Sequence, residues 1–372
     1  MITDLSLAND EYFFKRPCEV GGVPCVLIEP HGVGVAKWDK QNLIFRSSIW
    51  TTEGELVSPG FPKFFNWDED KDKEGVLVPG KLPYGKPRDV STCEILDKMD
   101  GSLLIISSYK GQLIARTRGT IDAEGTLSNG DEIPLLKEKY PALFSYVERN
   151  PDITLLCEWY SPRNKIVLNY GDEPKLWLIG GIMHEDYSLA RQITLDVLAV
   201  TLGIERPARY RFETLDAMRA TVEALEGKEG VVIYPPDGQR PWKLKSARYL
   251  ALHAYKGDVS TFDKVVDIWL SIGKPSYGEF YAFLAEKYDW EIAEYARPML
   301  SKICDAQRLY ENVLVGMYRF INNQLRGLPR KEQYEKTIAS YGKTPRASMV
   351  MRLLDGKPLN NEQIKKLVLQ FI

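Results

Sequence analysis

The chain up to about residue 250 alternates short apolar runs with turn-forming residues. Runs rich in Val, Ile, Leu and aromatic residues are bounded by Gly, Pro, Asn and Asp, which is typical of strands joined by turns. The predicted strands are 22–30, 41–50, 102–109, 112–120, 153–160, 164–170, 175–183, 229–238 and 240–246. Apolar residues recur at helical spacing only in 188–204 and 213–227. This pattern predicts an α+β fold built on antiparallel sheet.

The alternation stops at about Ser246, and helical periodicity replaces it. The predicted helices there are 260–273, 277–288, 291–327 and 361–372. We expect two domains, a sheet-based domain at 1–246 and an all-helical C-terminal domain at 247–372. No fixed-period repeat and no low-complexity tract occurs, which argues against a solenoid or a disordered linker.

Composition narrows the class of protein. The chain has 372 residues, 44% hydrophobic and 27% charged, which suits a globular protein with room for two domains. Its formal net charge of −2 means that nucleic-acid contact would have to come from local clusters of Lys and Arg. The five cysteines lack metal-ligand spacing, so we expect reduced thiols and no zinc site. Neither a signal peptide nor a long apolar run is present, and we expect a cytoplasmic protein.

The stretch ILDKMDGSLL, residues 95–104, places a lysine just before a predicted hairpin. Lys98 is followed by Asp100 and Gly101, and the glycine lets the backbone turn tightly and approach a ligand. Apolar neighbours should desolvate the ammonium group and lower the pKa of Lys98, and the neutral amine is the nucleophilic form. We interpret Lys98 as a candidate nucleophile, the alternative being an exposed lysine in a turn.

Four more charged residues lie in or beside apolar strands. Glu158 is embedded in a strongly apolar run, where an unpaired carboxylate is costly, and Glu229 begins another such run. Lys243 and Lys245 are two residues apart and therefore point to the same face of a strand. Each alone is more typical of a solvated strand end. Their joint occurrence, in this order along the chain, indicates a shared site.

These stretches resemble a known family of enzymes. KMDG, CEWYSPRNKIV, EGVVIY and WKLKS resemble motifs I, III, IV and V of the covalent nucleotidyltransferases, which include DNA ligases, RNA ligases and mRNA capping enzymes. Arg46 and the run KFFN at 63–66 resemble the upstream segment of RNA ligases. The most similar branch is the RNA ligase 1 family of bacteriophages, over about residues 40–250. The resemblance implies an antiparallel-sheet nucleotidyltransferase (adenylyltransferase) domain followed by an all-helical domain.

The activity that the resemblance implies is ATP-dependent RNA ligation. Lys98 would attack the α-phosphorus of ATP, expel pyrophosphate and form lysyl-AMP. The AMP would pass to an RNA 5′-phosphate, and an RNA 3′-hydroxyl would then displace it. We expect RNA ends, single-stranded or in a nicked tRNA loop, as substrates in RNA repair. A polynucleotide kinase-phosphatase is the candidate partner that heals the ends, the ligase itself is expected to be a monomer, and a phage-encoded chain would work in the host cytoplasm.

The resemblance also implies which cations hold the phosphates of ATP. Lys243 and Lys245 would contact the α-phosphate, where a pentavalent phosphorus carries dispersed negative charge that positioned cations stabilise. Arg46 and Lys63 would contact the pyrophosphate leaving group. The arginine-glycine pair usual in the family is replaced here by Arg46 followed by Ser47, so the loop over the triphosphate is expected to take a different path.

The remaining site residues are likewise carried over from the family. Glu158 would contact the ribose hydroxyls or a metal-bound water, and Glu229 a water on Mg²⁺ or Mn²⁺, since hard oxygen ligands suit these ions. Asp100 would assist from the turn. Arg116 and Arg118 alternate on one face of a predicted strand and would contact phosphate of ATP or RNA, the alternative being a solvated edge strand.

Other classes of protein remain as alternatives. A capping guanylyltransferase or a DNA ligase would share Lys98, but each normally appends an OB-fold barrel, and the region after Ser246 is poor in strands. A sealing enzyme for DNA or mixed strands is the remaining enzymatic alternative. A non-catalytic RNA-binding protein with the same fold would most simply lack the lysine or an acid, and none of these is missing here.

Overall fold

Two compact units make up the protein. The computed structural model describes residues 1–31, 36–72, 76–122, 132–164, 166–288 and 290–372. Contacts between Cα atoms divide the chain into Met1–Leu250 and Ala251–Ile372. The first unit combines antiparallel sheets with helices, and the described part of the second contains helices only. The predicted α+β class is therefore confirmed.

The N-terminal sheet has the order β1-β2-β3-β4, and every neighbouring pair is antiparallel. Its strands are β1 (Phe13–Val20), β2 (Val23–Pro30), β3 (Ser48–Thr51) and β4 (Leu56–Ser58). Of the predicted strand at 41–50, only the end is a strand, because Leu43–Phe45 form a 3₁₀ turn.

Two further sheets carry the candidate site. The second has the order β10-β9-β7-β8 and consists of β7 (Ser102–Tyr109), β8 (Gln112–Arg116), β9 (Ile153–Tyr160) and β10 (Lys175–Met183). The third has the order β11-β6-β12-β13-β5 and consists of β5 (Phe65–Asn66), β6 (Glu94–Asp97), β11 (Arg209–Tyr210), β12 (Gly230–Tyr234) and β13 (Trp242–Lys245). The pairing of β5 with β13 is parallel, and the other pairings in these two sheets are antiparallel.

The strand β9 is buried on both faces. Leu155, Cys157 and Trp159 point into a cluster that includes residues of the neighbouring helices, while Leu156 points into a cluster shared with the N-terminal sheet. Because side chains alternate along a strand, Glu158 lies on the same face as Leu156. The sequence of this strand is accordingly a continuous apolar run with one acid in it.

The helices of the first unit are α1 (Glu132–Lys139), α2 (Pro141–Arg149), α3 (Gln192–Leu202), α4 (Leu215–Glu223) and α5 (Ala247–Asp258), of which α5 extends past Leu250. The helices α3 and α4 lie within the two predicted helical segments, whereas α1 and α2 were not predicted. The predicted strand at 164–170 is wrong over residues 166–170, which are not in a strand, and residue 165 lies outside the described residues.

The second unit contains α6 (Phe262–Ser271), α7 (Tyr277–Lys287), α8 (Trp290–Phe320), a π-helical turn (Ile321–Leu325), α9 (Arg330–Tyr341), α10 (Pro345–Leu354) and α11 (Asn361–Leu369). Several begin with a side-chain cap that satisfies free backbone N–H groups, such as the reciprocal Asn360 and Gln363 contacts at α11. Sequence periodicity did not reveal α9 and α10. No described helix combines the length and the apolarity that a membrane span requires.

Candidate active site

Lys98 lies where the chain passes from the third sheet to the second. Strand β6 ends at Asp97 and β7 begins at Ser102, so residues 98–101 form the connection. The Lys98 N–H donates to the Gly230 carbonyl at 2.9 Å, which ties the turn to β12. Gly101 is required here, since a Cβ atom would lie 2.4 Å from the Trp159 carbonyl oxygen. The hairpin of β7 and β8 follows, as predicted.

Glu229 bridges two of the predicted lysines. Its Oε2 atom accepts from Lys98 Nζ at 2.7 Å, and its Oε1 atom is 2.9 Å from Lys245 Nζ. Glu229 is only 2% exposed and precedes β12, whose residue Gly230 pairs with Lys245. This register places both ammonium groups beside one buried carboxylate. The structure therefore joins Lys98, Glu229 and Lys245 in one charged group.

The predicted lowering of the Lys98 pKa is wrong. Burial does act to lower this pKa, but the charges of Glu229, Glu158 and Asp100 outweigh it, and the pKa of Lys98 is raised above its ordinary value. The sequence argument considered only the apolar neighbours. These neighbours therefore favour the ammonium form of Lys98.

Asp100 is buried, with 3% of its surface exposed, and both of its carboxylate oxygens are occupied. Oδ2 accepts from the N–H groups of Val167 and Leu168 at 2.8 and 2.7 Å, and Oδ1 accepts from the Tyr249 hydroxyl at 2.9 Å. Its own N–H donates to the Tyr170 hydroxyl at 3.0 Å. Asp100 therefore fixes the turn that carries Lys98, and it is not free to bind a metal ion.

Glu158 lies within the same site, on the central strand β9. It is half-buried, and its Oε1 atom accepts from the Gly101 N–H at 3.1 Å. Burial is the largest cause that raises its pKa to about 8, Lys98 opposes the shift, and the nearby carboxylates of Glu229 and Asp100 add to it. The raised pKa means that this carboxyl group keeps its proton to higher pH than an ordinary glutamic acid does.

A second group of cations surrounds the ring of Phe64. Lys243 Nζ lies 5.1 Å from the ring centroid, and the Arg46 guanidinium lies 5.8 Å from it. Burial, followed by the charges of Arg46, Lys98, Lys63 and Lys245, lowers the pKa of Lys243 to about 7. Burial also lowers the pKa of Lys63, which lies 3.4 Å from Glu69. Lys243, Arg46 and Lys63 therefore carry more positive charge than the neighbouring carboxylates balance. Such an excess favours the binding of an anionic ligand.

A cleft of about 530 Å³ opens beside Lys98. Arg46, Arg118 and Glu158 line it together with Lys98, so the lining includes several charged groups. Its apolar lining includes Ile179, Val232 and Tyr234, of a size and character that suit a planar base. Val232 and Tyr234 lie two apart on β12 and so share a face, which the alternation of the sequence could have indicated. No comparable local signal marks Ile179.

Of the two predicted arginines, the structure brings only Arg118 to the cleft. Strand β8 ends at Arg116, so the alternation that was expected to place both on one face does not extend to Arg118. Arg118 is exposed, whereas Arg116 is fully buried and bonded to Ser47 and Ser58. The prediction that Arg116 contacts a phosphate is therefore wrong.

The expected metal ligands were Glu158 and Glu229. Within the described ranges, no group of three or more His, Cys, Asp or Glu residues could hold a metal ion by itself. The carboxylate of Glu229 faces two ammonium groups, which repel a cation. Glu158 fits better, because an ion such as Mg²⁺ often keeps several waters and binds one or two carboxylates together with substrate phosphates.

Comparison with known proteins gives a consistent family. A family model described as RNA ligase matches residues 43–249. A putative bifunctional polynucleotide kinase/RNA ligase of Autographa californica nuclear polyhedrosis virus is 23% identical over 273 residues, covering 69% of this chain and 35% of the viral protein. The RNA ligase of Rhodothermus phage RM378 is 26% identical over 148 residues, covering 34% of this chain and 33% of the phage protein. The chain thus spans about a third of the length of each relative.

Two RNA ligases are among the solved structures that align with this chain. An archaeal ATP-dependent RNA ligase aligns over 82% of this chain and 78% of its own, with 17% identity and a TM-score of 0.46. A mutant of the Naegleria gruberi RNA ligase with ATP and Mn aligns over 68% of this chain and 84% of its own, with 15% identity and a TM-score of 0.39.

Proposed function

We propose, given that this chain belongs to the RNA ligase family, that it joins a 5′-phosphate and a 3′-hydroxyl end of RNA in an ATP-dependent reaction with Lys98 as the nucleophile. The observation that carries the proposal is the position of Lys98. Its ammonium group lies 2.7 Å from a buried carboxylate, in a cleft lined by both cationic and apolar side chains. This is the arrangement that an attack on a nucleoside triphosphate requires.

In the first step, Lys98 Nζ bonds to the α-phosphorus of ATP, and the bond from that phosphorus to the bridging oxygen breaks to release pyrophosphate. The ammonium group must lose a proton before attack, because only the neutral amine has a free electron pair. Glu229 Oε2 already accepts a hydrogen bond from this nitrogen and is the group placed to receive the proton. The product is lysyl-AMP.

The two later steps use the same cleft. An oxygen of the RNA 5′-phosphate bonds to the α-phosphorus, the bond to Lys98 breaks, and the lysine recovers its proton. The RNA 3′-hydroxyl then attacks the 5′-phosphorus, and AMP leaves. Each step passes through a phosphorus with extra negative charge, which we expect Lys243 and Lys245 to stabilise.

The anion site suits a triphosphate. Lys243 has no carboxylate partner among the described residues, and Lys63 shares only a 3.4 Å contact with Glu69. A divalent ion, Mg²⁺ or Mn²⁺, would supply further positive charge at the phosphates when bound. Glu158 is the residue that would hold it, since Asp100 and Glu229 are already occupied by donors.

The helical unit offers a surface for the RNA strand. Residues 319–372 contain eleven Lys or Arg and four Asp or Glu, a formal charge of +7 in a chain of net charge −2. Between α9 and α10, a groove of about 810 Å³ is lined by Lys331, Arg352 and Lys357, with Tyr334 beside them and 52% exposed. Cations for phosphates and an aromatic ring for a base are the elements of single-strand binding. We propose that this basic groove contacts the RNA substrate.

The wider setting follows from the same proposal. The viral relative carries a polynucleotide kinase in its name, and we propose that a polynucleotide kinase-phosphatase prepares the ends of a broken RNA, such as a cleaved tRNA loop, for this ligase. The five cysteines are free thiols, which together with the use of ATP suits action in the cytoplasm. We propose that the ligase acts as a monomer.

The function is tested with α-labelled ATP and a divalent ion. The wild-type protein should retain label after denaturation, and Lys98→Ala should not. With 5′-phosphorylated single-stranded RNA and DNA side by side, circular RNA should form preferentially. Label on the Lys98→Ala protein would overturn the assignment of the nucleophile. Preferential sealing of DNA, or labelling by GTP rather than ATP, would place the chain among DNA ligases or capping enzymes.

A further inference from the structure

Arg116 carries a buried charge that forms no ion pair with a described carboxylate. Its side chain is 0% exposed, and no ion pair joins it to an acid among the residues that the structure describes. Instead, Nε donates to Ser58 Oγ at 2.9 Å, and Nη2 donates to the carbonyls of Ser47 and Ser58 at 2.7 and 2.9 Å. Nη1 donates to Ser47 Oγ at 2.9 Å and to the Thr117 carbonyl at 3.3 Å. Well-packed apolar residues often stabilise a core as well as a buried charge does, so this arrangement calls for another explanation.

Arg116 binds Ser47, a residue with a strained backbone that directly follows Arg46 of the cleft. Ser47 follows Arg46 and adopts φ = +67°, a conformation that non-glycine residues rarely adopt. Its N–H donates to the Ile28 carbonyl at 3.0 Å, and a Cβ on Gly60 would lie 2.0 Å from its carbonyl oxygen. Ser47 is therefore fixed by its surroundings, and Arg116 binds both its hydroxyl and its carbonyl.

Ser47 also connects the two arginines of the cleft. Its hydroxyl donates to the carbonyl of Arg118, while its backbone continues directly from Arg46. Arg46 and Arg118 both line the cleft and carry like charges that repel each other. Without a backbone constraint, the two guanidinium groups would separate when no anion is bound.

We propose that Arg116 is a positioning residue that acts through Ser47 to hold Arg46 and Arg118 together at the cleft, as a preformed site for the β- and γ-phosphates of ATP. This inference rests on the proposed function, because it specifies how that cleft holds the leaving group. Preformed donors need no reorganisation during reaction, so the gain appears in the step that uses the triphosphate. Sealing of RNA that already carries AMP does not use these phosphates.

Ser47→Gly is the sharpest test. Glycine adopts the left-handed conformation without strain, while the variant loses the hydroxyl that joins Arg116 to Arg118. We expect a melting temperature equal to or below that of the wild-type protein, because relief of strain is offset by the loss of an acceptor for the buried Arg116 Nη1. The ATP concentration for half-maximal lysyl-AMP formation should rise about tenfold. Sealing of pre-adenylylated RNA should keep its wild-type rate. Arg116→Lys should likewise weaken the use of ATP in lysyl-AMP formation and leave the sealing of pre-adenylylated RNA unchanged. An ammonium group cannot replace the five donors of the guanidinium.

Ser108→Ala is the matched control. Ser108 is a buried serine on β7 whose hydroxyl has no hydrogen-bond partner among the described residues, and its loss should change neither step. If Ser47→Gly slows both steps equally, or changes neither, Arg116 supports the fold only and the positioning role is wrong. Absence of lysyl-AMP in the wild-type protein would instead refute the proposed function, so the two failures are distinguishable.

Discussion

Lys98 Nζ and Glu229 Oε2 lie 2.7 Å apart, although the two residues are 131 positions apart in the chain. The pair holds the candidate nucleophile in place and, at the same time, keeps it protonated. The proposed nucleophile is therefore held in position, but in the protonated form that cannot attack. Attack requires that the charge balance around Lys98 change after ATP binds.

Glu229→Gln should change the pH dependence of lysyl-AMP formation. Glutamine keeps the shape of the side chain but removes the negative charge that raises the pKa of Lys98. The effect of burial, which lowers this pKa, then weighs more, and the pKa of Lys98 falls. Because the neutral amine reacts, the rate rises as the pH approaches this pKa from below, and the rising limb should move to lower pH in the variant. The maximal rate should fall at the same time, because glutamine cannot receive the proton from Lys98. Single-turnover labelling at a series of pH values measures it.

The control for this experiment is Glu69→Gln, which removes the carboxylate beside Lys63 instead. It should leave the position of the rising limb unchanged. An identical pH profile for Glu229→Gln and the wild-type protein would show that Glu229 does not set the protonation of Lys98.

Glu158→Gln should stabilise the protein at alkaline pH. The pKa of Glu158 is raised from 4.5 to about 8 in the folded state, so between these values the unfolded chain releases a proton that the folded protein keeps. Stability is therefore lost as the pH rises through this window. The free energy of unfolding of the variant should exceed that of the wild-type protein by about 1–2 kcal/mol at pH 9, the figure being discounted for partial exposure.

The stability difference should shrink as the pH falls toward 5, and urea unfolding at several pH values would measure it. The same variant should lose most lysyl-AMP formation, because a neutral amide cannot supply the proposed metal contact. A difference that does not depend on pH would show that Glu158 is ionised in the folded protein.

How far the sequence predicts this site depends on how local each signal is. The turn at Lys98 and the hairpin after it could be predicted, because glycine and strand alternation act over a few neighbouring residues. Tyr249 could not, since its bond to Asp100 joins residues 149 positions apart and nothing near it in the chain marks it. The predicted strand at 164–170 fails for a similar reason, because the backbone N–H groups of Val167 and Leu168 bind Asp100 instead of a neighbouring strand.

The helices α1 and α2 were missed because the segment 132–149 contains two prolines and no long apolar stripe. Pro141 lies at the first position of α2, where its missing N–H costs nothing, so a residue that suggested a break marks a helix start. The burial of Arg116 could not be predicted from the sequence, since a charged residue near a strand end is normally exposed.

Arg352→Ala together with Lys357→Ala should weaken the binding of single-stranded RNA by the full-length protein. Each lost phosphate contact lowers both the affinity and its dependence on salt, so the slope of log affinity against log salt should fall by about 1.4 for the pair. Formation of lysyl-AMP should not change, because it requires no RNA. Filter binding at several salt concentrations measures the slope.

The matched control replaces Lys336 and Lys343, two lysines of the same basic segment that do not line the groove. If both double variants lose affinity equally, the attraction is a diffuse effect of net charge and the groove has no special role. Tyr334→Ala should weaken RNA binding without altering the salt slope, since stacking on a base involves no phosphate.

Lys243 offers the most direct test of the anion site. Burial and the neighbouring cations lower its pKa to about 7, so at pH 8 most molecules carry a neutral amine at this position. A bound triphosphate favours the ammonium form, and binding of ATP at pH 8 should therefore take up a proton. Calorimetry in two buffers with different ionisation enthalpies should give different apparent binding enthalpies, and Lys98→Ala provides a background in which ATP binds without reacting.

Adding Lys243→Met to that background should abolish most of the proton uptake, because methionine keeps the length of the side chain without a titrating group. In the protein with Lys98 intact, Lys243→Ala should slow lysyl-AMP formation by about 10²- to 10³-fold at saturating ATP, the usual effect of losing one donor that stabilises a transition state. Lys243→Arg should not restore the rate, since a planar guanidinium cannot occupy the place of a compact ammonium group. If Lys243→Ala binds ATP poorly but reacts at the normal rate once saturated, the residue anchors the substrate only, and its role at the α-phosphate is wrong.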